Sequence, residues 1–307
     1  MIISRCRLTG FSSFLCAFLL LLGTLCCAPS AARAQPVLEA PDRIGLGEPF
    51  LVSLVSRAPL EAVHVRWLGE EVPLDVRQAR DGWLGEALLG TDVGKDTAGV
   101  QSIEVSGVEG TKAFSLRAQV SVVERDYPVE ALTLPKKMVS PPSSVMARIE
   151  REHEAVHEAL ATMTRSRLWS LPLVRPVPGS TGSVYGLRRV LNGKPRSPHR
   201  GVDFHAPQGQ SVDAVAAGRV VLVGEHYFAG RSVYVDHGEG VVSMYFHLSK
   251  VLVREGEVVD RGQAVGLVGA TGRVTGPHLH FGLCLQGRCV DPLPLMEKAS
   301  DTRQAAQ

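Results

Sequence analysis

From Gln35 to about Arg125, apolar and polar residues fall into short runs such as Phe50 to Val55, Ala62 to Trp67, Gln101 to Val105 and Phe114 to Val123. Gly69, Gly82, Gly90, Gly94, Gly99 and Gly110 separate them. Short β-rich runs divided by turn residues predict an antiparallel, Ig-like β-sandwich over residues 35–126, and nothing in it looks catalytic. After Tyr127-Pro128 a proline-containing stretch (Leu134-Pro135-Lys136-Lys137, then Pro141-Pro142-Ser143-Ser144) leads into a segment where Val145, Ile149, Val156, Leu160 and Met163 share one helical stripe. This predicts a linker over 127–175 that contains a helix, capped by Ser143 or Ser144 and running to about Trp169. From Ser180 onward Gly and Val dominate without a helical period. The runs Ala214 to Val223, Val233 to Asp236, Val241 to Phe246, Ala264 to Val268 and His278 to Leu285 predict a second β domain over 176–298, followed by a tail, 299–307.

The first residues follow a different rule. Arg5 and Arg7, an apolar run from Phe14 to Ala28 and the small-residue end Ala32-Arg33-Ala34 predict a secretory signal over residues 1–34. Phe11 to Ala32 is long enough to span a bilayer, but Pro29 and the Ala-x-Ala end favour cleavage. The expected location is periplasmic or secreted, with no stable membrane span after cleavage. The Cys26-Cys27 pair does not follow the pattern needed for lipid attachment.

With 307 residues, 45% hydrophobic and 21% charged, the chain can bury a real core, which excludes a disordered or collagen-like polymer. The formal charge of +2 does not point to a nucleic-acid partner, and without residues 1–34 it becomes −1, from 30 basic and 31 acidic residues. Four of the six cysteines also leave with that segment. Cys284 and Cys289 remain, flanking Leu-Gln-Gly-Arg, a hairpin tip across which an oxidising compartment favours a bridge.

Histidine is the informative residue, since seven of the ten lie between His199 and His280. Two patterns compete for a metal. His153-Glu154-Ala155-Val156-His157 is a literal H-E-x-x-H, which on a helix puts both imidazoles on one face. Against it, residues 159–202 hold no Asp or Glu and no His before His199, no glycine follows at the spacing of an extended site, and charged residues surround the motif. The second pattern is His199-Arg200-Gly201-Val202-Asp203 with Gly276-Pro277-His278-Leu279-His280-Phe281 some 75 residues later. An H-x-H in a strand turns both rings to one face. A His and an Asp from the first segment with one His of the pair make a three-ligand zinc set with an open fourth position, the mark of a catalytic site. The other His of the pair, and His247 in Tyr245-Phe246-His247-Leu248, remain for acid–base work.

The set H-x-x-x-D, Tyr-x-His-Leu and Thr-Gly-x-x-Thr-Gly-Pro-His-Leu-His-Phe closely resembles the lysostaphin-type (LytM-type) zinc metallopeptidases, which cut peptide cross-bridges in bacterial peptidoglycan. Agreement runs from about Ser183 to Asp291-Pro292, a little over a third of the chain, and includes Asp236-His237-Gly238-x-Gly240 and Gly262-Gln263. The resemblance implies one Zn2+ per chain on His199, Asp203 and His280. It implies His278 as general base and His247 as stabiliser of the tetrahedral intermediate or partner in proton transfer, with the choice of base between them open. Phe246 stands where many relatives have Gly, which would narrow the cleft beside His247. Arg188 is a candidate contact for a substrate carboxylate, weighed against a surface role. His205, His226 and His237 match no ligand position, and His237 is weighed as a support to a ligand.

Val253-x-x-Gly256-x-Val258 and Val259-x-x-Gly262 are similar to the barrel-sandwich (duplicated-hybrid-type) pattern of lipoyl and biotin carriers. Carriers need a Lys between the repeats, and Lys250 precedes both, so only the fold carries over. The expected fold class is thus mostly β: Ig-like sandwich, linker helix and antiparallel barrel-sandwich peptidase domain. The leading functional expectation is a secreted zinc endopeptidase acting on peptidoglycan peptides, of the D,D type, restrained by its upstream segments, so that a chain starting near Trp169 cleaves at least as fast. The alternative is a non-catalytic wall-binding or amidase-activating module.

Overall fold

A computed structural model describes residues 35–133 and 141–297. The expected signal (1–34), the Leu134-Pro135-Lys136-Lys137 stretch and the tail lie outside the described residues. The described chain from Gln35 onward forms one unit and is mostly β, and no helix among its described residues is long and apolar enough to cross a membrane.

The first part is two sheets over one core. Pro49–Ser56 alternates so that Phe50, Val52 and Leu54 point inward, and it pairs antiparallel with Gly82–Gly90, where Val52 lies opposite Ala87. Val37–Glu39 and Val76–Ala79 complete that sheet. In the other sheet Arg43–Gly45, Lys112–Val123, Gly99–Glu109, Leu60–Trp67 and Glu70–Pro73 stand in that order. Val65, Trp67, Ile103, Val105 and Val120 face Val52 and Leu54 in a shared apolar core. The expectation of an antiparallel sandwich needs one correction: Arg43–Gly45 pairs parallel with Lys112–Val123. The chain crosses from one sheet to the other after Val37–Glu39 and keeps its direction, and Ser121 N–H donates to Asp42 O at the entry.

The helix is Met146–Leu160, preceded by a 3-10 turn at Ser143–Val145, and it stops nine residues short of Trp169. No serine caps it, since Val145 occupies the cap without a side-chain bond. The chain beyond is claimed by tertiary contacts: Thr164 hydroxyl bonds the Asp236 carboxylate, Glu239 N–H donates to Thr164 O, and Trp169 is buried. The helix packs Val156 and Leu160 on Tyr234, Met244, Cys284 and Cys289, leaving His153 and His157 exposed. Val129–Leu132, within the stretch read as linker, is a strand that pairs parallel with Arg188–Leu191.

In the C-terminal part, an antiparallel sheet runs Val202–Phe204, Leu279–Leu285, Val241–Leu248, Gly230–Asp236, Gly218–His226 and Val258–Val259. Ser211–Asp213, Ala264–Leu267 and Lys250–Val251 form a second, smaller sheet. Phe204, Val233, Val235, Tyr245 and Phe281 share their core with Val212 and Val265 from the smaller one. The apolar run Ala214 to Val223 is not one strand, because the chain crosses between sheets at residues 214–217. Ala214, Val215 and Ala216 are buried in that crossing, so the run reads as continuous although its backbone is not. Cys284 and Cys289 face one another across the Gln286-Gly287 turn and form a disulfide. Both turn residues have positive φ, 49° and 73°, as a tight hairpin requires.

The two parts are bound together by buried groups. Leu88 sits in the C-terminal core, and its carbonyl accepts from Gln286 Nε2. The fully buried Asp92 carboxylate accepts from Gly94 N–H (2.7 Å) and Cys289 N–H (3.0 Å) and pairs with Arg200.

Candidate active site

Strand register builds the centre. Val202–Phe204 pairs antiparallel with Leu279–Leu285 so that Asp203 lies directly opposite His280, on one face. His278, two residues earlier, is held by its bridge to Gly269. His199 comes from the preceding loop, its backbone N–H bonded to Leu187 O at 3.0 Å. The three donor atoms converge: His199 Nε2 lies 2.9 Å from His280 Nδ1 and 3.1 Å from Asp203 Oδ1, and His280 Nδ1 lies 2.9 Å from the same oxygen. Among the described residues this is the one group of three or more ligating side chains that meets in this way. The H-E-x-x-H pair does not join it.

Surrounding groups fix which nitrogens point inward. His199 Nδ1 lies 2.9 Å from Val184 O and donates there, so its Nε2 carries the lone pair. Gly201 makes room for His280, because a Cβ at that position would lie 2.7 Å from His280 Nε2 and 2.4 Å from Phe281 O. Phe246, paired across from His280, stacks on its ring at 5.1 Å and 16°. Phe246 thus lies beside His247, with ring centroids 6.4 Å apart, and also stacks on the His280 ring.

Simple alternation would put Phe246 and His247 on opposite faces. A bulge changes this: register slips between Arg231 and Val233, and His247 takes φ +65°. Its ring then lies 6.1 Å from that of His280 and 4.9 Å from that of His278. His247 Nδ1 donates to Thr271 O and His278 Nδ1 to Gly276 O, each at 2.9 Å, leaving both Nε2 atoms as acceptors. His278 Nε2 stands 3.9 Å from Asp203 Oδ1.

Electrostatics suit ligation. Burial works to raise the Asp203 pKa, but the adjoining His199 and His280 rings hold the carboxyl well below the usual carboxylate range. Burial lowers His280. Burial, aided by the charge of His280, pushes His247 down to about 3, so it stays neutral.

The remaining predicted residues are elsewhere. His237 is buried, with Nδ1 bonded to Ala217 O and Nε2 to Ser243 Oγ, and burial depresses it to about 4. His226 bonds Ser232 and His205 is exposed. Arg188 is exposed, whereas its neighbour Arg189 reaches Ser183 Oγ at 3.0 Å and lies 3.6 Å from Asp203 Oδ2. Arg189 stands in none of the motifs that mark the other site residues in the sequence. Strand alternation was the available signal, since adjacent residues face opposite ways.

Three converging donors beside two further imidazoles in a β-sheet cleft define the metallopeptidase class of site. Residues 197–292 match Peptidase family M23. Peptidoglycan DD-endopeptidase ShyA of Vibrio cholerae is 47% identical over 97 residues, covering 32% of this chain and 23% of that protein. For ShyB of the same organism the values are 40% over 113 residues, 36% and 26%. The chain therefore spans about a quarter of the length of these curated relatives. A crystal structure from Pseudomonas aeruginosa, assigned to peptidase M23, is 31% identical with a TM-score of 0.61, covering 82% of this chain and 94% of that one. The chain belongs to peptidase family M23.

Proposed function

We propose that this protein is a zinc-dependent endopeptidase that hydrolyses peptide cross-links of bacterial peptidoglycan, of the D,D type, in the periplasm or outside the cell. The observation that carries the reading is the convergence of His199, Asp203 and His280 with His247 and His278 alongside. ShyA and ShyB, named as peptidoglycan DD-endopeptidases, support the substrate and bond type. The Cys284–Cys289 disulfide supports an oxidising compartment.

The donor set fits zinc: two imidazole nitrogens and one carboxylate oxygen, with mutual separations of 2.9–3.1 Å, suit an ion that prefers four ligands. One Zn2+ held by His199, Asp203 and His280 would supply Lewis-acid activation of water and of the scissile carbonyl. His278 is the better-placed base, because its side chain is 21% exposed and its Nε2 acceptor faces the centre. In this role it takes the proton from the attacking water and returns it to the leaving amine. His247, buried and neutral, orients the reacting groups through its Nε2.

The upstream sheets act in this reading as a support rather than a restraint. Leu88 completes the peptidase core and Asp92 satisfies buried donors there, so a chain starting near Trp169 loses both.

The test is digestion of purified peptidoglycan by the zinc-loaded chain from Gln35 onward, with mass analysis of released muropeptides. Cleavage at D,D cross-links that His278→Ala abolishes without loss of zinc is the expected result. Equimolar zinc with intact peptidoglycan would overturn the reading and favour the non-catalytic module.

A further inference from the structure

The two oxygens of the Asp203 carboxylate face different neighbours. Oδ1 faces the ligand set, 3.1 Å from His199 Nε2 and 2.9 Å from His280 Nδ1. Oδ2 faces Arg189, whose Nη2 stands 3.6 Å away as an ion pair. The last torsion of an aspartate side chain has broad minima, so nothing within the residue decides which oxygen points where. A neighbour has to decide it, and Arg189 is placed to do so.

Arg189 is itself held at two atoms. Ser183 Oγ accepts from the same Nη2 at 3.0 Å, and Glu130 Oε2 accepts from Nε at 3.3 Å. Glu130 lies directly opposite Arg189 in the parallel pairing of Val129–Leu132 with Arg188–Leu191, so strand register delivers this carboxylate to the guanidinium. Ser183 O also accepts the Asp203 N–H at 2.9 Å, and the neighbouring Val184 O accepts from His199 Nδ1 at 2.9 Å. One short segment therefore fixes the backbone of Asp203, the ring of His199 and the guanidinium that meets Oδ2. The planar fork of an arginine can serve all these partners at once, which a single ammonium cannot.

We infer that Arg189 is a positioning residue that keeps Asp203 to one ligating oxygen, Oδ1, and so keeps free the position that a catalytic zinc site needs for water. A carboxylate can ligate through one oxygen or through both. Two imidazoles and one oxygen leave the fourth place of a tetrahedral site open, and a second carboxylate oxygen would fill it. This rests on the peptidase reading above. It extends the metal centre to Arg189 and Glu130, both of which precede the family-matched residues 197–292.

The experiment loads the chain from Gln35 onward with Co2+ in place of zinc, because four-coordinate Co2+ absorbs visible light more strongly than the ion with a further ligand. Arg189→Gln is expected to keep one metal per chain while that absorption falls by about twofold or more. With zinc, its kcat on cross-linked peptidoglycan peptides falls by about tenfold or more, with KM within about threefold. Arg189→Lys keeps the charge without the fork, and Glu130→Gln leaves Arg189 with a weaker holder, so both shift spectrum and rate the same way by less. If Arg189→Gln does not fold, these two variants carry the test. An unchanged cobalt spectrum, a shifted one with kcat within about twofold, or loss of the metal from the folded variant overturns the positioning role and leaves the peptidase reading intact. Failure of the unaltered protein to take up metal or to cleave overturns the peptidase reading and this inference with it.

Discussion

Asp92→Ala tests how far the N-terminal sheets support the peptidase part. The carboxylate is fully buried and answers three donors: Gly94 N–H at 2.7 Å, Cys289 N–H at 3.0 Å and the Arg200 guanidinium. Removing one partner of a buried ion pair typically costs about 3–5 kcal/mol, because the other charge is left without compensation. Arg200 is 38% exposed and regains water on its outer side, which moves the expectation to the low end of that range. The Cys289 N–H has no such relief, and a buried donor without a partner costs about 1–3 kcal/mol. The expected loss is therefore about 3 kcal/mol, read as a lower denaturant midpoint with unchanged m in equilibrium unfolding of the chain from Gln35 onward. Asp92→Ala with Arg200→Ala in a double-mutant cycle should show coupling of about 1.5 kcal/mol or more. A loss below about 1 kcal/mol, or additive effects in the cycle, would refute the view that this contact ties the two parts together.

Other expectations follow from single residues. Burial raises Glu239 to about 7 from an ordinary 4.5, so the folded state binds its proton more tightly; stability is greatest below pH 4.5, falls as pH rises through about 7, and amounts to about 3 kcal/mol. Unfolding measured from pH 4 to 8 should show this decline, and Glu239→Gln should remove it. Gly201→Ala pushes a methyl against His280 and the Phe281 carbonyl, and competition with a chromophoric chelator should show zinc affinity lower by about tenfold or more. His153→Ala with His157→Ala should leave zinc at one per chain and peptidoglycan cleavage within about twofold, since both imidazoles are exposed and apart from the centre. Loss of the zinc in that variant would restore the H-E-x-x-H motif as the metal site.

Much of the centre was legible because its determinants are local. The His278-x-His280 spacing gives a shared direction from backbone period alone, and the Asp203 and His199 positions follow from a short motif. The helix was legible in its stripe but not in its end. Residues after Leu160 have no breaker until Pro172, and what stops the helix is the claim of the Asp236–Glu239 loop on Thr164. The crossing at 214–217 was hidden for a related reason: its residues are as apolar as those of a strand, because both are buried.

The sequence by itself determined that the chain is mostly β, which two histidines and an aspartate to look for as a cluster, and that the helix motif is a poor rival. These follow from periodicity and residue chemistry, which act over a few positions. Only the tertiary structure decided that His247 turns toward His280, through a bulge at φ +65°, and that Phe246 stacks on His280. It also decided that Arg189 rather than Arg188 approaches Asp203, and that Leu88 and Asp92 complete a core more than a hundred residues away. Register, bulges and buried charge pairs depend on which distant segments meet, and no spacing along one stretch of chain encodes that.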